Sequence, residues 1–313
     1  MNNFASAPLI AAEEVRRNFR NSFILVAFMM ALVFGLSYFI GMMVGNIRAG
    51  LLIGAAVVVI VLPLQILTAK WAILAMTRGR AANPDDLRER RAIHILEGLA
   101  VSAGLQRTPD LYIIPSRVPN AFASGMSEKD AFVAVTQGLL DMMNDQELEG
   151  VIAHEVGHII HRDIMLSQLV VALISSLLIL AFILEHICIM QMFSNDRRRD
   201  RDSGGAGAIM LALFLIALLV RPIVALIGMM LQMAISRERE YAADAVAVRL
   251  CSYNEGLASA LAKLGGIGKY SKADNDSLGG SNLASMYIHF PAGELFSTHP
   301  PIEKRVERLR NMY

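Results

Sequence analysis

A chain of 313 residues can hold one or two domains, but 55% hydrophobic residues and a mean hydropathy of +0.47 exceed what an ordinary water-soluble globule carries. The composition therefore points to a membrane protein. A formal net charge of +1 gives no reason to expect nucleic acid as a partner, and two cysteines, Cys188 in an apolar stretch and Cys251 in a polar one, fit reduced thiols better than a disulfide.

Residues 1–72 read as a tail followed by a transmembrane hairpin. Phe23 to Val44 and Leu51 to Ala69 carry no charge over about 22 and about 19 residues, each near the ~30 Å of a bilayer core at 1.5 Å per residue. Two buried core helices are the alternative, disfavoured by runs this long without a polar face. The first run is too long for the apolar part of a signal peptide, and Glu13 and Glu14 interrupt the charged segment ahead of it. Arg16, Arg17 and Arg20 precede this hairpin and Lys70, Arg78, Arg80 and Arg88 follow it, whereas only Arg48 lies between the two runs. Both ends should therefore be cytoplasmic.

Residues 73–163 read as the first part of a polar domain on the cytoplasmic side. Asn83, Pro84, Asp85 and Asp86 make a helix start, with a capping side chain, proline in the first turn and acids against the dipole; Gly104 ends that helix. Leu111 to Ile114 and Ala131 to Thr136 are β-rich runs, with Asn120 to Gly125 a third strand between them. Asn144 and Glu147 make a capping box, and Leu148, Val151, Ile152 and Ile159 continue on a helical period that carries His154, Glu155, Val156, Gly157 and His158.

Residues 164–235 hold a second hydrophobic hairpin, Leu166 to Leu184 and Ala206 to Ile235. Glu185 and His186 close its first run, and Arg221-Pro222 interrupts the second, leaving about 14 apolar residues on each side. The connecting loop carries Arg197, Arg198, Arg199 and Arg201, which oppose the positive-inside rule if the hairpin spans; a shallow hairpin is the alternative. Residues 236–313 read as the second part of that polar domain. They begin with a second helix over Ser236 to Asp244, pass through a Gly-, Ser- and Asp-rich loop from Lys269 to Ser281, and end in a charged helix started by Pro300.

One helical turn separates His154 from His158, so both imidazoles can reach one tetrahedral ion while Glu155 lies beside it as a general base. A catalytic zinc site takes a third protein ligand and leaves one position for water. Glu240 is the candidate, and Asp244, one turn beyond, can accept a hydrogen bond from a ligand imidazole; a solvated charged face is the alternative for both. His161 competes for the third position, but at i+7 from His154 it stands about 10 Å along the axis, too far to share ~2 Å bonds. It is assigned a surface or hydrogen-bonding role.

The paired N-terminal runs, Pro119 to Gly125, the His154 to His158 pattern, the hairpin after it, Glu240 with Asp244, and Thr298 to Pro301 together resemble the HtpX-type membrane metalloproteases over nearly the whole length. The CAAX prenyl endopeptidases are a more distant resemblance. The resemblance implies a mainly α membrane protein with a small β-sheet: a zincin-like metalloprotease domain with a Glu third ligand, plus two hydrophobic helical hairpins. It implies one zinc ion per chain held by His154, His158 and Glu240, with Glu155 as base and His299 stabilising the oxyanion; a plain loop residue is the alternative for His299. Asn120, Ala121 and Phe122 match the strand beside the substrate, and Arg237 could pair with an acid near the site, although a turn residue and a solvated arginine are the plain readings of Asn120 and Arg237. The implied function is endoproteolysis of damaged or misfolded membrane proteins at the bacterial inner membrane, from a multi-pass chain with a cytoplasmic catalytic domain. Its partners are a polypeptide substrate and the lipid bilayer. Two other readings compete, an intramembrane site-2-type protease and a catalytically silent membrane scaffold or chaperone. The first lacks its Leu-Asp-Gly run here, and the second needs none of the four metal and base candidates.

Overall fold

The structure is a computed structural model that describes residues 7–195, 204–266, 288 and 300–312. The chain divides into two compact units, Met1–Leu67 with Leu169–Met230 and Thr68–Gln168 with Leu231–Tyr313.

The first unit is helical. Helix α1 (Ala7–Val44) turns at Gly45, whose φ of +73° suits a residue without Cβ, into α2 (Ile47–Ala56), capped by the Asn46 side chain on the Ala49 amide. The two helices touch backbone to backbone: a Cβ on Gly50 would lie 2.3 Å from the Ser37 carbonyl oxygen, and one on Gly54 2.5 Å from the Ser37 hydroxyl. A π-turn, Val57–Val61, leads into α3 (Leu62–Thr77), with the Leu62 amide reaching back to the Val57 carbonyl. Pro63 follows directly and has no amide to give, so the wider turn absorbs the break and the helix runs on. Val26–Val44, Ile47–Thr77 and Ile164–Gln191 are each long and apolar enough to cross a membrane, and Ala217–Gly228 is a shorter apolar stretch. Phe23, Leu52, Val59 and Leu67 stand exposed, as lipid-facing side chains do.

Two expectations for the second hairpin need correction. Helix α7 (Asp163–Asn195) does not close at Glu185 but continues past it; Glu185 is buried inside the helix and paired with Arg221 at 3.3 Å. Helix α8 (Gly204–Cys251) runs through Pro222 without a break, so the helix expected over Ser236 to Asp244 is continuous with the apolar run before it. Proline costs one backbone bond, whereas ending a helix among apolar residues would orphan several polar groups.

The second unit is built around a four-stranded mixed sheet in the order β1-β2-β4-β3, where β1 is Arg80–Ala81, β2 Asp110–Ile114, β3 Ala121–Ser124 and β4 Phe132–Thr136. Strands β2 and β4 are parallel and the other pairs antiparallel, with Ala121 opposite Val135 and Leu111 beside Val133. The two-residue β1 is too short to leave a periodic signal and was not expected. Period-two alternation sends Ile113, Val133 and Val135 into the main core, and Ile114, Phe122, Phe132 and Ala134 into a second cluster with Ile73 and Leu74 of α3. In the main core the sheet meets α4 (Leu87–Ser102), α6 (Asp145–Ile160) and α9 (Glu255–Gly265); α5 (Gln137–Met142) precedes α6, and α10 (Ile302–Arg310) lies against α9. The cap of α4 is Asp86, which accepts from Arg88 and Glu89. Asn83, expected in that role, instead accepts from Asp85 in the turn that precedes the helix.

Candidate metal centre

The reciprocal box of Asn144 and Glu147 starts α6, with 2.9 Å and 3.0 Å bonds, and Lys263 neutralises Glu147 at 2.7 Å. From that start two turns of Leu148, Val151 and Ile152 bury one side of the helix and deliver His154 and His158 on neighbouring turns. Their Nε2 atoms lie 3.2 Å apart. His154 and Glu155 are buried, while the His158 side chain keeps 16% exposure and marks the open side of the site.

Helix α8 supplies the opposite wall because the two helices approach closely. Gly157, between the two histidines, has no side chain, and a Cβ there would meet the Ala243 backbone of α8 at 3.2 Å. One turn of α8 consequently faces the histidines. Glu240 places Oε2 3.5 Å from His154 Nε2 and Oε1 3.4 Å from His158 Nε2, and Asp244 places Oδ1 3.0 Å from His154 Nδ1. Among the described residues, His154, His158 and Glu240 form the group able to hold a metal ion.

Two observations test whether a cation fits. Ligand bonds of ~2.0–2.1 Å in a tetrahedron place neighbouring donors about 3.4 Å apart, and the three separations found are 3.2, 3.4 and 3.5 Å. Electrostatics point the same way. Glu155, Glu240 and Asp244 are buried around Arg305, the only buried lysine or arginine among the described residues, so the site gathers carboxylates that positive charge stabilises. A divalent cation supplies that charge.

Arg305 was missed by sequence reasoning. Its Nε and Nη2 donate to Asp244 Oδ2 and Oδ1 at 3.0 and 2.7 Å, Nη1 lies 3.0 Å from Glu240 Oε2, and Nη2 stands 3.4 Å from the His154 ring. A signal was present: Ile302, Val306 and Leu309 form the apolar stripe of α10, and Arg305 falls inside it. Burial opposes charge on Arg305, but Asp244 and Glu240 more than offset it and hold the guanidinium charged. Burial would likewise push the Asp244 carboxyl up, yet Arg305 and His154 keep it below the usual carboxylate range. For His154, burial and Arg305 both disfavour the imidazolium, and the hydrogen bonds to Asp244 and Glu240 outweigh them, raising its pKa.

The structure thus brings His154, His158, Glu240, Asp244 and Glu155 together. His161 caps the end of α6, donating its amide to the Gly157 carbonyl, and is not in the metal group. His299 lies outside the described residues, as does the side chain of Arg237, whose backbone belongs to α8. Asn120 is buried, its amide bonded to Thr136 Oγ1 at 2.8 Å and its side-chain oxygen accepting from Ala121. Phe122 packs edge-on to Phe132 in the second core cluster, and the Ala121 carbonyl accepts from Ile288 at 2.9 Å.

A family model described as Peptidase family M48 matches residues 86–313. A "Protease HtpX homolog" of Thermoanaerobacter pseudethanolicus is 36% identical over 302 residues, covering 94% of this chain and 95% of the relative. Another of Ligilactobacillus salivarius is 38% identical, covering 86% and 88%. A crystal structure of S. mikatae Ste24p is similar with a TM-score of 0.47 and 17% identity, covering 95% of this chain but 66% of its own, just under two thirds.

Proposed function

Since the chain belongs to peptidase family M48 and is a membrane metalloprotease, we propose that it is a zinc endopeptidase, with one ion held by His154, His158 and Glu240. The observation that carries this reading is the convergence of two imidazole nitrogens and one carboxylate at tetrahedral spacing beside a buried glutamate. Two nitrogens and an oxygen suit zinc, which when bound polarises the scissile carbonyl and makes water nucleophilic near neutral pH.

Glu155 adjoins His154 on α6 and takes a proton from the attacking water as its oxygen bonds to the carbonyl carbon. The same carboxyl then gives that proton to the amine nitrogen as the carbon–nitrogen bond breaks. Asp244 holds the His154 ring at Nδ1, leaving Nε2 for the ion. The open side at His158 admits the peptide, and Asn120, Ala121 and Phe122 belong to the strand beside it in this reading, with their side chains buried. His299 stabilises the oxyanion and Arg237 pairs with an acid near the site in this reading.

The substrates are damaged or misfolded membrane proteins, a reading supported by membrane-crossing helices in the protease chain itself. The chain crosses the inner membrane several times, with residues 73–163 and 236–313 composing a cytoplasmic catalytic domain interrupted by the second hairpin.

The test is Glu155→Gln in purified, detergent-solubilised protein. Hydrolysis of an unfolded membrane-protein substrate should fall about a thousandfold or more while zinc stays near one per chain. Undiminished turnover in that variant would sink the mechanism.

A further inference from the structure

We infer that Arg305 is a positioning residue for the metal centre: its guanidinium fixes Asp244, and through Asp244 the His154 ring, while balancing part of the charge that Glu240 brings. The inference rests on the reading of His154, His158 and Glu240 as ligands.

The argument begins with what α10 needs in order to dock. Leu309 is fully buried in the main core, the Asn254 side chain donates to the Leu309 carbonyl at 3.0 Å, and Arg310 pairs with Glu255 at 2.8 Å. Those contacts anchor the helix on α9 and its start without any help from residue 305. Completing the apolar stripe with a leucine or methionine would bury more hydrophobic surface and avoid desolvating a guanidinium, which costs several kcal/mol even after relaxation. A buried charge at that position works against docking. Its benefit lies elsewhere.

The geometry shows where. Two parallel N–H groups grip both oxygens of Asp244, an arrangement that fixes the plane of the carboxylate as well as its place. With that plane set, Oδ1 faces His154 Nδ1 at 3.0 Å, which keeps the proton on Nδ1 and points Nε2 at Glu240 and His158. The remaining nitrogen, Nη1, lies 3.0 Å from Glu240 Oε2. One side chain therefore touches the third ligand and orients the first. Without it, three carboxylates would crowd one buried site, and Asp244 would be free to turn away from the imidazole.

A double-mutant cycle on zinc affinity tests this, with the full-length chain in a Glu155→Gln background and a chelator of known affinity as competitor. Asp244→Asn and Arg305→Met should each weaken zinc about tenfold to a hundredfold, and the double variant should be no weaker than the worse single, because both changes break one relay. Effects that multiply would overturn the relay. If Arg305→Met does not fold, Arg305→Lys takes its place, since lysine keeps the charge but not the fork. It should fold and still bind zinc about tenfold more weakly. In the Glu155 parent at saturating zinc, Arg305→Lys should lower kcat about tenfold with KM within about twofold, because Arg305 meets no substrate. Wild-type zinc affinity in Arg305→Lys, or a raised KM with unchanged kcat, would overturn the inference. Glu240→Ala serves as the control. Zinc lost there but retained at full affinity in Arg305→Lys defeats the positioning role alone, whereas zinc retained in both defeats the ligand assignment as well.

Discussion

Glu89 shows how a single side chain ties the small elements of the second unit together. It is buried at the start of α4, takes two bonds from Arg80 of β1 at 2.9 and 2.5 Å, and accepts the Asn83 amide at 2.7 Å. The Arg80 guanidinium lowers its pKa below 4.5 first, against burial, which acts upward, with the Asn83 amide adding to the lowering. A depressed folded pKa contributes stability that is present above the unfolded value and is lost as pH falls through the folded one. Glu89→Gln should therefore destabilise the protein at pH 7 by about 1–2 kcal/mol, a range discounted because Arg80 is half exposed. Thermal melts of the two proteins should converge as pH drops below about 4.5. A gap that stays constant to pH 3 would show that the charge on Glu89 is not what stabilises.

At the scale of elements, the metal centre depends on how closely α6 and α8 approach, and small residues set that distance. Gly157 lies on α6 between the histidines and Ala243 on α8 between Glu240 and Asp244, so the contact point is the middle of the site. Gly157→Val must push the helices apart, separating Glu240 from His154 and His158 while leaving each proposed ligand chemically unchanged. Overpacking of this kind costs about 1–3 kcal/mol, and zinc affinity should fall by tenfold or more. Chelator competition that finds wild-type affinity in Gly157→Val would show that the helices tolerate the added bulk without moving the ligands. The neighbouring α6–α9 contact obeys the same rule, with a Cβ on Gly150 only 2.6 Å from the Leu257 amide nitrogen.

For the whole molecule, a metal held by His154, His158 and Glu240, as proposed, makes metal and fold interdependent, because those ligands come from two helices. Metal that binds only the folded state adds about 2.7 kcal/mol when free zinc is a hundredfold above Kd. Stripping it with a chelator should lower the melting transition by about 5 °C or more and abolish proteolysis, and zinc should restore both. A chelated protein that melts at the holo temperature would mean that the carboxylates are balanced by something other than metal.

Much of this protein was legible because periodicity and spacing are local properties. Uncharged runs near bilayer length, the β-rich runs of β2 to β4, the Asn144 and Glu147 box and the His154 to His158 spacing each need only a few neighbouring residues to be read. Arg221-Pro222 and Glu185 were misread for a complementary reason. Local rules count a proline or a charge as a break, whereas a helix among apolar residues keeps its backbone bonds and recruits a counter-charge from another helix. By itself the sequence determined which chemistry was available: two imidazoles, a base and acids for a metal. Only the tertiary structure decided which distant groups share that site, because the contact of Arg305 with Asp244, 61 residues away, comes from the packing of α10 and no spacing rule encodes it.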